Sequence, residues 1–208
     1  VCADAGYEVV LKDIDSEGLA RGLEHVDGLL AKRRHLGEGE REVLRGRIEG
    51  CLEAEAVAGA QLLIEAVFES REVKEKVTKE LEPLLAEGAI WASNTSALPI
   101  SQLAEASAHP ERFIGLHFFS PAEKMPLLEI VRGAATDDAT VARCLAFCER
   151  IGKLPIVVGD GYGFYTTRVF SAYILEGAQL VAEGHAPALV EWAARSAGMA
   201  VGPLQVFD

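Results

Sequence analysis

The sequence predicts an α/β fold: a mostly parallel sheet flanked by helices, followed by the start of an all-α domain. Two observations carry this. From Glu8 to Val158, short apolar runs alternate with segments of helical periodicity, the pattern of a parallel sheet with crossover helices. Beyond Gly159-Asp160-Gly161 the strand signal stops and helical patterning continues to Asp208. A domain boundary therefore falls near Asp160, with 1–160 as the α/β domain and 161–208 as the beginning of a helical one.

The elements follow in order. Val1 to Gly6 reads as the end of a helix with Gly6 at its C-cap. Glu8 to Lys12 is a strand closed by Asp13. Residues 16–35 form a helix with Ser16 as N-cap and an apolar stripe of Leu19, Leu23, Val26, Leu29 and Leu30. Gly37 and Gly39 break it. Alternating Glu and Arg predict a polar helix over 40–50, so residues 16–50 make a two-helix arm between strands. Leu62 to Phe68 is an apolar run suited to a strand buried on both faces. A helix spans 71–86 and ends near Gly88. Ala89 to Ala92 is a short strand entering Ser93-Asn94-Thr95-Ser96. A helix over 100–108, strands over 113–119 and 127–132, an amphipathic helix over 136–151 and a strand over 154–158 complete the sheet region. Asp137 and Asp138 suit the first turn of the helix they open. Two more helices cover about 165–183 and 187–197.

Composition narrows the function. Half of the 208 residues are apolar, enough for a sizeable core, and no apolar run reaches the length of a membrane span. The net charge of −12 argues against a polyanion such as nucleic acid bound over a broad surface. It leaves room for one phosphate-bearing small ligand at a local basic patch. The densest basic run is Lys32-Arg33-Arg34. The four cysteines lack metal-ligand spacing and read as structural free thiols in a reducing compartment. Cys144 and Cys148 sit one helical turn apart and share a core face.

The residues that carry chemistry sit at or near strand ends. Asp13 follows the first strand. In a doubly wound, Rossmann-type sheet an acidic residue there bonds the adenosine ribose and repels a 2′-phosphate; a plain turn aspartate is the alternative. The first reading sets a strand and a glycine loop ahead of Val1, so that the sheet lacks its first strand here. Ala66 is small enough to let a cofactor approach the backbone, while Glu69 and Lys74 taken alone are a solvated helix start. Ser96 in isolation reads as a cap or turn residue. Glu129 inside Leu127-Leu128-Glu129-Ile130-Val131 is a carboxylate on a buried strand, which is costly unless paired. His117, on the neighbouring apolar strand, is its natural partner. An imidazole with a carboxylate is the minimal kit for moving a proton near neutral pH.

Together these segments resemble the L-3-hydroxyacyl-CoA dehydrogenase family, over nearly the whole chain. The motifs are Asn94-Thr95-Ser96, Gly115-Leu116-His117-Phe118-Phe119-Ser120-Pro121, Pro126 to Val131, and Gly202-Pro203. The resemblance implies NAD as cofactor and a 3-hydroxyacyl-CoA as substrate, oxidised in fatty-acid β-oxidation or the butanoyl-CoA pathway. It implies His117 as general base, Glu129 as the carboxylate that orients it, and Ser96 as a contact to the substrate oxygen. Asp13, Ala66, Glu69, Lys74 and Asn94 match cofactor contacts, and Arg33 falls where a helical arm meets the CoA phosphates. No metal is implied. A homodimer, or a place in a multifunctional β-oxidation complex, is the expected assembly. The expected location is the cytoplasm of a bacterium, or the mitochondrial matrix or peroxisome of a eukaryote.

One position departs from the family pattern Pro-Gly-Phe-x-x-Asn-Arg. The chain has Tyr162-Gly163-Phe164-Tyr165-Thr166-Thr167-Arg168, so Thr167 stands in place of the family's active-site asparagine. A hydroxyl offers one donor where an amide offers two. Two alternatives stay open: a dehydrogenase of a small free hydroxy acid, and a non-catalytic scaffold domain of a multifunctional protein.

Overall fold

The computed structural model describes residues 1–207. Its elements, in chain order, are β1 (Val9–Lys12), α1 (Ser16–Lys32), α2 (Glu38–Gly46), β2 (Ile48–Cys51), β3 (Leu62–Glu65), α3 (Arg71–Leu81) and β4 (Ile90–Ser93). They continue with α4 (Ile100–Leu103), β5 (Phe113–Phe118), β6 (Leu127–Arg132), α5 (Asp138–Arg150), β7 (Leu154–Gly159), α6 (Thr166–Ala182) and α7 (Pro187–Ser196).

The main sheet has the order β3-β4-β5-β6-β7. Every pair in it is parallel except β5–β6. The link from Phe118 to Leu127 is too short for a crossover helix, so those two strands run antiparallel. β1 and β2 form a separate parallel pair. Alternating strand residues feed two cores. Ile90, Ala92, Ile114, Leu116, Leu128 and Ile130 pack with Cys144, Phe147 and Cys148 of α5. Trp91, Phe113 and Val131 pack with Leu81 of α3 and Ile100 and Leu103 of α4. Helices thus cover both faces of a parallel-dominated sheet. Each large side chain sealed there contributes about 1.5–3 kcal/mol. Gly115 sets the fit on the α4 side: a Cβ there would lie 2.7 Å from Cβ of Val131 and 2.9 Å from Cδ1 of Ile100.

Three details differ from the sequence pattern. The polar helix predicted over 40–50 stops at Gly46, and Ile48–Cys51 is a strand paired to β1 from Val9↔Ile48 to Lys12↔Cys51. The two-helix arm is therefore shorter than predicted. Gly50 lets α1 close over this strand, since a Cβ there would meet Leu23 Cδ1 at 2.9 Å. The cap of α1 is Asp15 rather than Ser16: its side chain accepts from the Gly18 N–H at 2.7 Å. The strand predicted to reach Phe68 ends at Glu65.

Gly6 ends a 3-10 turn over Ala3–Ala5 with φ of 87°, the left-handed cap its sequence suggests. Cys144 and Cys148 are buried, and burial pushes both thiols up to about 12. No helix among the described residues is long and apolar enough to cross a membrane.

Candidate active site

His117 and Glu129 are register partners across the antiparallel β5–β6 pair, so their side chains leave the same face of the sheet. Nδ1 of His117 lies 2.7 Å from Oε2 of Glu129. Glu129 is fully buried and His117 is 7% exposed. Phe119 and Phe164 flank the imidazole, with ring centroids 4.5 and 6.0 Å away. The carboxylate also accepts from the backbone N–H of Thr166 at 2.9 Å and from its hydroxyl at 2.6 Å. With three donors aimed at Glu129, the Nδ1 proton points at the carboxylate and the Nε2 lone pair is left for other work.

A second cluster forms where β3 and β4 end. Glu69 accepts from the Ser96 N–H at 3.0 Å, the Ala97 N–H at 3.3 Å and the Thr95 hydroxyl. Burial raises the Glu69 carboxyl, but the Thr95 hydroxyl, the Lys74 charge and the Ser96 N–H together hold it below its ordinary range. Lys74 is buried between Glu65 and Glu69, at 3.0 and 3.3 Å. The exposed Ser96 is thus carried on a loop clamped by one carboxylate. Thr167 Oγ1 donates to the Ser96 carbonyl at 3.3 Å. Asn94 Oδ1 accepts from the Phe118 N–H at 2.8 Å, next to His117. The two clusters are therefore joined twice, through Asn94 and through Thr166-Thr167.

Asp13 and Arg33 make no hydrogen bond to these clusters among the described residues. Asp13 ends β1 and accepts from the Ile14 N–H at 2.6 Å, with Gly18 of α1 leaving room for its carboxylate. Arg33 is held by Asp4 through both terminal guanidinium nitrogens. Lys32 and Arg34 beside it are exposed and make no ion pair among the described residues. No three His, Cys, Asp or Glu side chains among the described residues are grouped to hold a metal ion.

The carboxyl ends of β1 and β3 suit a dinucleotide. Asp13 is partly exposed, and its hydrogen bonds come only from its own loop, which leaves acceptor capacity for ribose hydroxyls. Ala66 is exposed and carries only a methyl group, so the backbone at the end of β3 can be approached closely.

Two residues at these clusters escape the sequence pattern. Glu65 ends the apolar run Leu62 to Ile64, a position where a carboxylate needs a partner, and that was the available signal. Thr166 offered only a hydroxyl in the first turn of a helix, which is common and uninformative.

The chain resembles known proteins over nearly its whole length. Residues 1–161 match the family profile described as "3-hydroxyacyl-CoA dehydrogenase, NAD binding domain", and residues 163–208 the one described as "3-hydroxyacyl-CoA dehydrogenase, C-terminal domain". The chain is 43% identical over 207 residues to the fatty acid oxidation complex subunit alpha of Shewanella sp. strain W3-18-1, spanning 98% of this chain and 29% of that protein. Among solved structures it resembles the (S)-3-hydroxybutyryl-CoA dehydrogenase of Ralstonia eutropha, with 32% identity and a TM-score of 0.94, covering 99% of this chain and 74% of that one. The 3-hydroxybutyryl-CoA dehydrogenase of Escherichia coli gives 32% identity and a TM-score of 0.93, covering 99% and 44%.

Proposed function

Because the chain belongs to the 3-hydroxyacyl-CoA dehydrogenase family, we propose that the complete protein oxidises an L-3-hydroxyacyl-CoA to the 3-ketoacyl-CoA with NAD. The observation that carries this is the buried His117–Glu129 pair, whose outer ring nitrogen is left as a base.

In this reading Nε2 of His117 takes the 3-hydroxyl proton as the C3–H bond breaks and the carbonyl forms. NAD, when bound, supplies the hydride acceptor. Glu129 fixes the imidazole and stabilises its charge once protonated. The Ser96 hydroxyl, held by its loop, donates to the substrate oxygen, and Thr167 braces that loop by donating to the Ser96 carbonyl. Asp13 bonds the adenosine ribose, and Ala66, Glu69 and Asn94 line the path of the dinucleotide at the ends of β3 and β4; Lys74, expected as a cofactor contact, is sealed at 2% exposure and acts from behind by pairing with Glu65 and Glu69. The CoA phosphates meet the basic end of α1. There Arg33 is already committed to Asp4, so Lys32 and Arg34 carry the open charge.

A role as the dehydrogenase part of a fatty-acid oxidation complex fits the Shewanella relative, of whose length this chain spans 29%. NADH formation by the complete protein, followed by absorbance with a 3-hydroxyacyl-CoA and with the matching free acid, tests the reading. Turnover strongly favouring the thioester supports it. Preference for the free acid, or turnover of neither, overturns it.

A further inference from the structure

Glu129 holds more than the histidine. Its Oε1 accepts from the Thr166 N–H, and its Oε2 accepts from both the Thr166 hydroxyl and His117 Nδ1. Thr166 is the first residue of α6, a helix whose N-cap residue, Tyr165, offers no side-chain cap. The buried carboxylate on β6 does that work from outside the helix, satisfying an N–H that helix geometry leaves without a partner. Just before it, Phe164 is held at φ of 48°, a left-handed conformation that a bulky residue adopts only when its surroundings impose it. Phe164 is buried, packed in the α4-side core with Trp91 and Phe113. The backbone is thus turned so that both Thr166 donors converge on one carboxylate.

We propose that Thr166 is a positioning residue for the His117–Glu129 pair, an inference that rests on the dehydrogenase reading above. A carboxylate gripped only by a histidine can turn about its last torsion, which is a soft one. With the Thr166 N–H on one oxygen and its hydroxyl on the other, the plane of the carboxylate is fixed. The direction of the Nδ1–H bond, and so of the Nε2 lone pair, follows. Any residue at 166 supplies the N–H; only Thr or Ser supplies the hydroxyl. No other side chain competes for the carboxylate among the described residues. Phe119 and Phe164 face the imidazole as apolar rings. Asp160 is engaged by the N–H groups of Ile100 and Ser101, and Glu69 by the Ser96 loop.

Two variants of the complete protein test this. Thr166→Val removes the hydroxyl at nearly constant shape, and Thr166→Ser retains it. One readout is kcat and KM for NAD-dependent oxidation of a 3-hydroxyacyl-CoA. The other is the downfield proton resonance of His117 Nδ1–H in protein labelled at histidine, which needs no turnover. Thr166→Val is expected to lower kcat about tenfold, a fraction of the 10²–10⁴ that a positioned base supplies. KM should hold, and the resonance should broaden or move upfield. Thr166→Ser should keep both near the parent values. Should Thr166→Val fail to fold, Thr166→Ala serves for the same readouts. A parent-like kcat and resonance in the hydroxyl-free variant overturn the proposal. If the parent protein turns over no 3-hydroxyacyl-CoA, the dehydrogenase reading fails, and the resonance alone decides whether Thr166 holds the pair.

Discussion

Nζ of Lys74 lies 3.0 Å from Oε2 of Glu65, and each side chain is 2% exposed. The Ser93 hydroxyl donates to the same carboxylate, and Nζ also reaches Glu69 at 3.3 Å. One buried cation therefore serves two carboxylates, one sealed at the end of β3 and one that clamps the Ser96 loop. Charges this deep persist only while they are paired and hydrogen-bonded.

Replacing Lys74 by Met should lower the stability of the complete protein by about 3–5 kcal/mol, because Glu65 stays buried without its cation. Adding Glu65→Gln should recover much of that loss. Denaturant unfolding of the single and double variants is the check. Equal destabilisation by both would mean that the packing of the Lys74 stem, not its charge, is what matters.

Asp13 should make the protein prefer NAD to NADP, since a carboxylate at the ribose repels a 2′-phosphate. Asp13→Asn keeps an acceptor for the Ile14 N–H and so spares the turn. Removing one like-charge contact worth about 1–4 kcal/mol should narrow the kcat/KM ratio of the two cofactors by roughly tenfold or more. An unchanged ratio would remove Asp13 from the cofactor site.

Thr167→Asn should raise kcat on a straight-chain 3-hydroxyacyl-CoA, by up to about 10²-fold if the added amide donor meets developing charge. Thr167 stands beside the Ser96 loop, where its hydroxyl donates to the Ser96 carbonyl. A fall in kcat with an unchanged fold would show that the hydroxyl suits a different substrate.

Much of the fold is legible in the sequence, because β4, β5 and β6 are apolar runs whose burial needs no distant information. The facing of His117 and Glu129 is legible too, because a carboxylate on an apolar strand needs a partner and His117 is the polar residue on the neighbouring one. The strand Ile48–Cys51 cannot be read that way. Four residues that include a glutamate and a glycine carry no strand pattern, and pairing to β1, far away in sequence, makes them one. The burial of Lys74 is hidden for the same reason. On α3 it follows Arg71 and Glu72 and precedes Glu75 and Lys76, as on any solvated helix, and only the folded position of Glu65 draws it inside. Thr166 acts through a tertiary contact to another strand, which helix periodicity does not encode.

In the proposed reaction His117, oriented by Glu129, is the base. Steady-state oxidation of a 3-hydroxyacyl-CoA by the complete protein carrying His117→Gln tests it most directly, with circular dichroism to confirm the fold. With His117 as the base, kcat of the variant should fall about 10²- to 10⁴-fold while KM changes little. A folded variant with parent-like kcat would contradict it.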